Sequence, residues 1–198
     1  MFNRSVFIFI LLLASCGQPA FSPLSDDATI LAFGDSLTQG VGVSGEHSYP
    51  SVLENLTQLK VINAGVSGEV TQDGAIRFNK LVEEIYPDLI ILLEGGNDII
   101  RNHSFAETKK NLAKMIMFAQ QKQIPVILIG VPQKKLFSDV APFYRELAEE
   151  FQLVFDDEII AELMRDKSMK SDPIHFNQLG YQKLAERIDQ ILRDNGAL

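Results

Sequence analysis

The chain has 198 residues, 46% of them hydrophobic and 22% charged, with 18 Lys and Arg against 26 Asp and Glu. That length suits one domain, and the composition excludes a disordered or collagen-like chain. The net charge of -8 argues against a nucleic-acid partner, and a single cysteine excludes a disulfide framework or a cysteine-rich zinc site.

The first sixteen residues read as separate from the fold. Arg4 is the sole charge before Asp26, and it precedes an apolar run from Val6 to Leu13. That run is too short to cross a hydrocarbon core of roughly 30 Å, which takes about 20 residues. It matches the apolar region of a signal peptide. The run ends Leu13-Ala14-Ser15-Cys16, which resembles the lipobox of bacterial lipoproteins, where the cysteine becomes the lipidated first residue. An ordinary secretory signal with a chance cysteine is the alternative. The expected division is a leader over 1–15, a tether rich in Pro, Ser and Gly over 16–27, and a folded domain over 28–198. Lipidation of Cys16 would hold that domain at a membrane of the cell envelope without a spanning helix; secretion is the other outcome.

Strands then alternate with helices. Thr29–Phe33, Val61–Asn63, Leu89–Leu93, Val126–Ile129 and Leu153–Phe155 are short, continuously apolar runs. Continuous rather than alternating hydrophobicity predicts parallel strands covered on both faces. Phe78, Leu81, Val82 and Ile85 recur at helical spacing, as do Leu112, Met115, Ile116 and Ala119, and later Tyr181, Leu184, Ala185, Ile188 and Ile191. Ser104 with Glu107 has the spacing of a capping box for the second of these helices. Pro87, Pro125 and Pro142 punctuate boundaries. The pattern predicts a three-layer α/β/α domain with about five parallel strands. Sites in such sheets form beyond the carboxyl ends of the strands.

The loops there carry four groups: Gly34-Asp35-Ser36-Leu37, Asn63-Ala64-Gly65-Val66-Ser67-Gly68, Gly95-Gly96-Asn97-Asp98, and Asp172-Pro173-Ile174-His175 before the last helix. Acyl transfer needs a nucleophile, a base, a group that orients the base, and donors for an oxyanion. Ser36 can serve as nucleophile and His175 as base. Asp172, three residues earlier on one loop, can meet the imidazole Nδ1–H. The Asn97 amide can donate to a developing oxyanion. Each piece alone is commonplace; their placement at successive strand ends is what points to a site.

Together the four segments resemble the sequence blocks of the SGNH hydrolases, or GDSL esterases and lipases, over about Ile30 to Leu192. Asn63-Ala64-x-x-Ser67-Gly68-Glu69 and Glu94-Gly95-Gly96-Asn97-Asp98 are similar to the branch of thioesterase I, lysophospholipase L1 and arylesterases. The resemblance implies Ser36 as nucleophile and, through its N–H, as one oxyanion donor. It implies Gly68 N–H and the Asn97 side chain as the others, and Asp172 and His175 as the rest of the triad. It further implies a flavodoxin-like sheet, no metal or organic cofactor, and a small acyl-ester, thioester or lipid substrate. Phe176 departs from the branch, which usually has proline after the histidine. A monomer is the default.

Rival readings are weaker. Gly40-Val41-Gly42-Val43-Ser44-Gly45 matches G-x-G-x-x-G, but six residues, Gly34 to Gln39, separate it from the strand, and no acidic residue follows at the required distance. Thr38 replaces the second glycine of a G-x-S-x-G elbow. An acetyl esterase acting on glycans and a catalytically silent lipid- or glycan-binding lipoprotein remain as alternatives. Asp35 and Asp98 are expected to brace their loops and His47 and His103 to lie at the surface. Lys134 and Lys135 are expected in a solvated loop, with the border of the pocket as the alternative. Arg101 and Ile99–Phe105 are expected to do structural or solvation work, with a mobile wall of the acyl site as the alternative.

Overall fold

The computed structural model describes residues 20–133 and 139–198. Cys16 with the leader, and Lys134 and Lys135, lie outside the described residues. One sheet is built from β1 (Thr29–Gly34), β2 (Lys60–Gly65), β3 (Leu89–Leu93), β4 (Val126–Ile129) and β5 (Val154–Asp156). Its order is β2-β1-β3-β4-β5, with every neighbouring pair parallel. All of β3 and β4 is buried, and so is β1 from Ile30 onward. Each Leu, Ile or Val so covered contributes about 1.5–3 kcal/mol. The expectation of strands covered on both faces fails for β2 and β5. They are the sheet's edges, where the flanking helices no longer overlie every residue.

The helices are α1 (Ser36–Gln39), α2 (Tyr49–Thr57), α3 (Thr71–Ile85), α4 (Gly96–Ile100), α5 (Phe105–Gln121), α6 (Pro142–Phe151), α7 (Ile159–Arg165) and α8 (Gln178–Asp194). The three predicted periodic segments fall in α3, α5 and α8. Helix α2 packs on α8, while α3 packs on α5 and α5 on α6. The sheet lies between these two helical layers. Helices α2, α6 and α7 were not legible as periodic segments. Proline opens α6 and lies in the first turn of α2, where the missing N–H is harmless.

Two local expectations are corrected. Helix α5 starts after Ser104, but the Ser104 hydroxyl makes no capping bond. Its carbonyl instead accepts from both the N–H and the hydroxyl of Thr108. The tether reading also fails from Phe21 on. Phe21 and Leu24 donate their N–H groups to the carbonyls of Asn195 and Ala197, and both side chains pack on the core. Two apolar side chains outweigh the polar composition around them. Among the described residues, no helix is long and apolar enough to cross a membrane.

Topology positions the site. The chain runs from interior β1 out to edge strand β2, then back across to β3, so the order reverses beside β1. Gly34 pairs in register with Leu93, which sets the loops after β1 and β3 side by side at the switch point.

Candidate active site

Ser36 is the first residue of α1, directly beyond β1. Asp35 caps that helix, its Oδ1 accepting the Leu37 N–H at 3.0 Å. The Ser36 N–H, at the first helical position, has no intrahelical acceptor.

The loop before α8 organises itself. Asp172 Oδ1 accepts the N–H groups of Ile174 and His175, each at 2.8 Å. Its Oδ2 lies 2.7 Å from His175 Nδ1, and His175 Nε2 lies 3.0 Å from Ser36 Oγ. The bond to His175 holds the Asp172 carboxyl down to about 2, so it is ionised at neutral pH. An ionised carboxylate only accepts; Nδ1 therefore carries the proton and Nε2 is left to accept from the serine hydroxyl. Phe176 anchors this loop. Its ring is fully buried and meets Tyr181 edge-on at 5.6 Å, and the Tyr181 hydroxyl donates to the Val41 carbonyl. Phe176 is thus a buried aromatic plug beneath the catalytic loop.

On the other side of Ser36, Asn97 sits in the first turn of α4. Its Nδ2 lies 3.4 Å from Asp35 Oδ2. Gly96 permits that approach, because a Cβ there would lie 3.0 Å from the same oxygen. Gly68 has φ +79°, a conformation that suits glycine. The peptides around it are fixed: Ser67 N–H donates to Gln39 Oε1, Glu69 N–H to the Val66 carbonyl, and Arg101 to the Gly68 carbonyl at 2.8 Å. The Gly68 N–H itself has no acceptor among the described residues.

A cavity of about 150 Å³ opens beside Ser36 and Asn97. Leu37, Ile99, Val131, Met164 and Ile174 give it apolar walls. Gly68 does not line it. The structure thus sets Ser36 and Asn97 on the cavity wall, joins His175 and Asp172 to them through the contact with Ser36 Oγ, and holds Gly68 on the adjoining loop. Among the described residues, no group of three or more His, Cys, Asp or Glu side chains is placed to hold a metal ion.

Several supports had no signal in the sequence. Arg77, on α3, pairs with Glu69, bonds the carbonyls of Ala64 and Gly34, and lies 4.0 Å from the Phe33 ring centroid. It ties together the loops after β1 and β2. Asp98 braces its loop as expected, accepting from the N–H and hydroxyl of Thr71. His103, expected to be an isolated surface residue, is exposed but lies 3.7 Å from Asp98. Glu94 is fully buried with neither carboxyl oxygen hydrogen-bonded to a described residue. Burial, reinforced by the nearby charges of Asp35, Glu69 and Asp98, pushes its carboxyl well above the usual range. Met164 and Val131 reach the cavity from α7 and the loop after β4, elements that no motif marks.

The chain is similar to several known proteins. An arylesterase of Vibrio mimicus is 34% identical over 134 residues, covering 63% of this chain and 67% of that protein. A thioesterase 1/protease 1/lysophospholipase L1 of Escherichia coli (strain K12) is 27% identical over 161 residues, 76% of each chain. The crystal structure of TesA superposes with a TM-score of 0.76 at 22% identity, covering 84% of this chain and 98% of that one, which establishes the fold. The profile of the GDSL-like Lipase/Acylhydrolase family matches residues 32–183. That span takes in every segment of the site just described, and the chain belongs to this family of ester hydrolases.

Proposed function

We propose that the protein cleaves a carboxylic ester or thioester of a short acyl or aryl acid through an acyl-enzyme on Ser36. The observation that carries this is the continuous line from Asp172 through His175 to Ser36 Oγ, with contacts of 2.7 and 3.0 Å, at the mouth of an apolar cavity. The relatives named arylesterase and thioesterase 1/lysophospholipase L1 support the ester and thioester classes.

In this reading Ser36 Oγ bonds to the substrate carbonyl carbon as His175 Nε2 takes its proton. The carbonyl oxygen becomes negative and accepts from the Ser36 and Gly68 N–H groups and from Asn97 Nδ2. The bond to the leaving alcohol or thiol then breaks as His175 returns the proton. Water repeats the cycle on the acyl-enzyme and frees the acid. Asp172 holds the imidazole in the tautomer this requires. An apolar cavity of about 150 Å³ holds a benzene-sized guest. A long acyl tail would extend beyond it, its outer methylenes forfeiting about 0.8 kcal/mol each.

A fluorophosphonate probe tests the nucleophile: it should label Ser36 alone, and both labelling and hydrolysis should vanish in Ser36→Ala. Labelling elsewhere overturns the assignment. On a panel of p-nitrophenyl esters, kcat/KM should stop rising beyond hexanoyl; a steady rise to palmitoyl overturns the short-acyl reading. Anchoring through Cys16 is proposed from the sequence alone. A mature N-terminus that carries no lipid in mass spectrometry would refute it.

A further inference from the structure

A buried carboxylate directly behind a nucleophile is costly, and capping α1 does not require it. Asn or Ser caps a helix as well as Asp does, without a charge. Yet Asp35 is 4% exposed, and burial raises its carboxyl to about 6. Its two oxygens do different things. Oδ1 caps α1 through the Leu37 N–H. Oδ2 faces the turn after β3, where the bare Cα of Gly96 leaves room and Asn97 Nδ2 lies 3.4 Å away.

We propose that Asp35 is a positioning residue for the reaction: its Oδ2 holds the NH₂ end of the Asn97 amide toward the site, so that the second N–H can donate to the ester oxygen as it gains charge. This rests on the serine-hydrolase reading above. The argument is one of donor inventory. An amide has an accepting and a donating end, and its terminal torsion is soft, so the ends exchange readily. An ionised carboxylate only accepts. It therefore selects the NH₂ end, and both amide hydrogens sit on that one nitrogen. Without the carboxylate, Asn97 could turn its oxygen toward the reacting carbonyl, which would repel the developing charge. The register of β1 on β3 keeps the two loops adjacent, so a residue of the nucleophile loop sets the donor on its neighbour.

Asp35→Asn separates the two oxygens. Its amide oxygen still caps Leu37, while its NH₂ takes the place of Oδ2 and meets Asn97 donor to donor. The expected result is a fall in kcat of about 10²–10³, comparable to loss of an oxyanion donor elsewhere. KM should change less than about threefold, melting temperature should be retained, and fluorophosphonate should still label Ser36. The double variant Asp35→Asn/Asn97→Ala should be no worse than either single one, because residues acting as a unit do not add. A kcat within about threefold of wild type, or losses that multiply in the double variant, would overturn the proposal. Wild type without esterase activity would instead sink the hydrolase reading itself. Should Asp35→Asn fail to fold, the crystal structure of a wild-type phosphonate adduct decides. Asn97 Nδ2 bonded to both Asp35 Oδ2 and the phosphonate oxygen supports the assignment; Nδ2 turned away from Asp35 refutes it.

Discussion

Asp172 and His175 meet within one turn of four residues, whereas Asp35 and Asn97 meet across 62 residues of sequence. Both acids border the site, but their surroundings differ. The Asp172 side chain is 43% exposed, and its carboxyl is held at about 2 by hydrogen bonds. Asp35 is buried, and its carboxyl is raised to about 6. The exposed acid is placed by its own loop and can keep its charge cheaply in water. The buried one exists only because two strands lie side by side. A catalytic base can thus be oriented locally, while an oxyanion pocket has to be assembled by the whole sheet.

The same change of acid to amide, made at Asp172, should have the larger effect. Asp172→Asn keeps an oxygen for the Ile174 and His175 N–H groups but offers an NH₂ to Nδ1, favouring the wrong tautomer. We expect kcat to fall by about 10⁴, as in a comparable triad, with the fold intact by circular dichroism. Full activity would remove Asp172 from the machinery.

Next in size is Asn97→Ala, which deletes the donor. It should lower kcat by about 10²–10³ with little change in KM. A raised KM with unchanged kcat would mean that Asn97 only binds substrate.

Glu94 sharpens the contrast in burial. Its carboxyl titrates well above the ordinary value when folded, so the native state keeps a proton that the unfolded chain has released. Unfolding free energy should therefore fall as pH rises past the ordinary glutamate range, by about 1.4 kcal/mol per pH unit. Glu94→Gln removes that slope, and the difference in stability between the two proteins should shift in favour of Glu94→Gln as pH rises through and beyond the ordinary glutamate range. Asp172 has the opposite sign: its contribution is present above its unfolded value and is lost as pH falls toward 2. Parallel denaturation curves for wild type and Glu94→Gln across that range would contradict the buried-acid account.

The smallest effect belongs to Arg101→Met. Its exposed guanidinium pins the Gly68 carbonyl at 2.8 Å. Losing one such bond, worth about 0.5–1.5 kcal/mol, should lower kcat by roughly 2- to 12-fold. No change would show that the Gly68 turn is held without it.

Much of this molecule was written in its residues. Unbroken apolar runs marked β1, β3 and β4, because a strand covered on both faces cannot afford polar positions. Helical spacing marked α3, α5 and α8, whose apolar stripes are wide and regular. Asp172 and His175 could be paired from spacing alone, since a turn that short leaves few other arrangements. Ser36, Gly68 and Asn97 stood out at strand ends, where loops of such sheets carry chemistry.

Other features came only with tertiary structure. The partial exposure of β2 and β5 depends on their being edges, which strand order decides. Phe21 and Leu24 looked like tether until the carbonyls of Asn195 and Ala197 came within reach. Arg77 could not be matched to Glu69, Ala64 and Gly34 in advance, nor Met164 and Val131 to the cavity wall, because helices and loops distant in sequence supply them. Residue type and local spacing determine which groups can do chemistry. Their burial, charge state and facing partners are set by what the sheet places beside them.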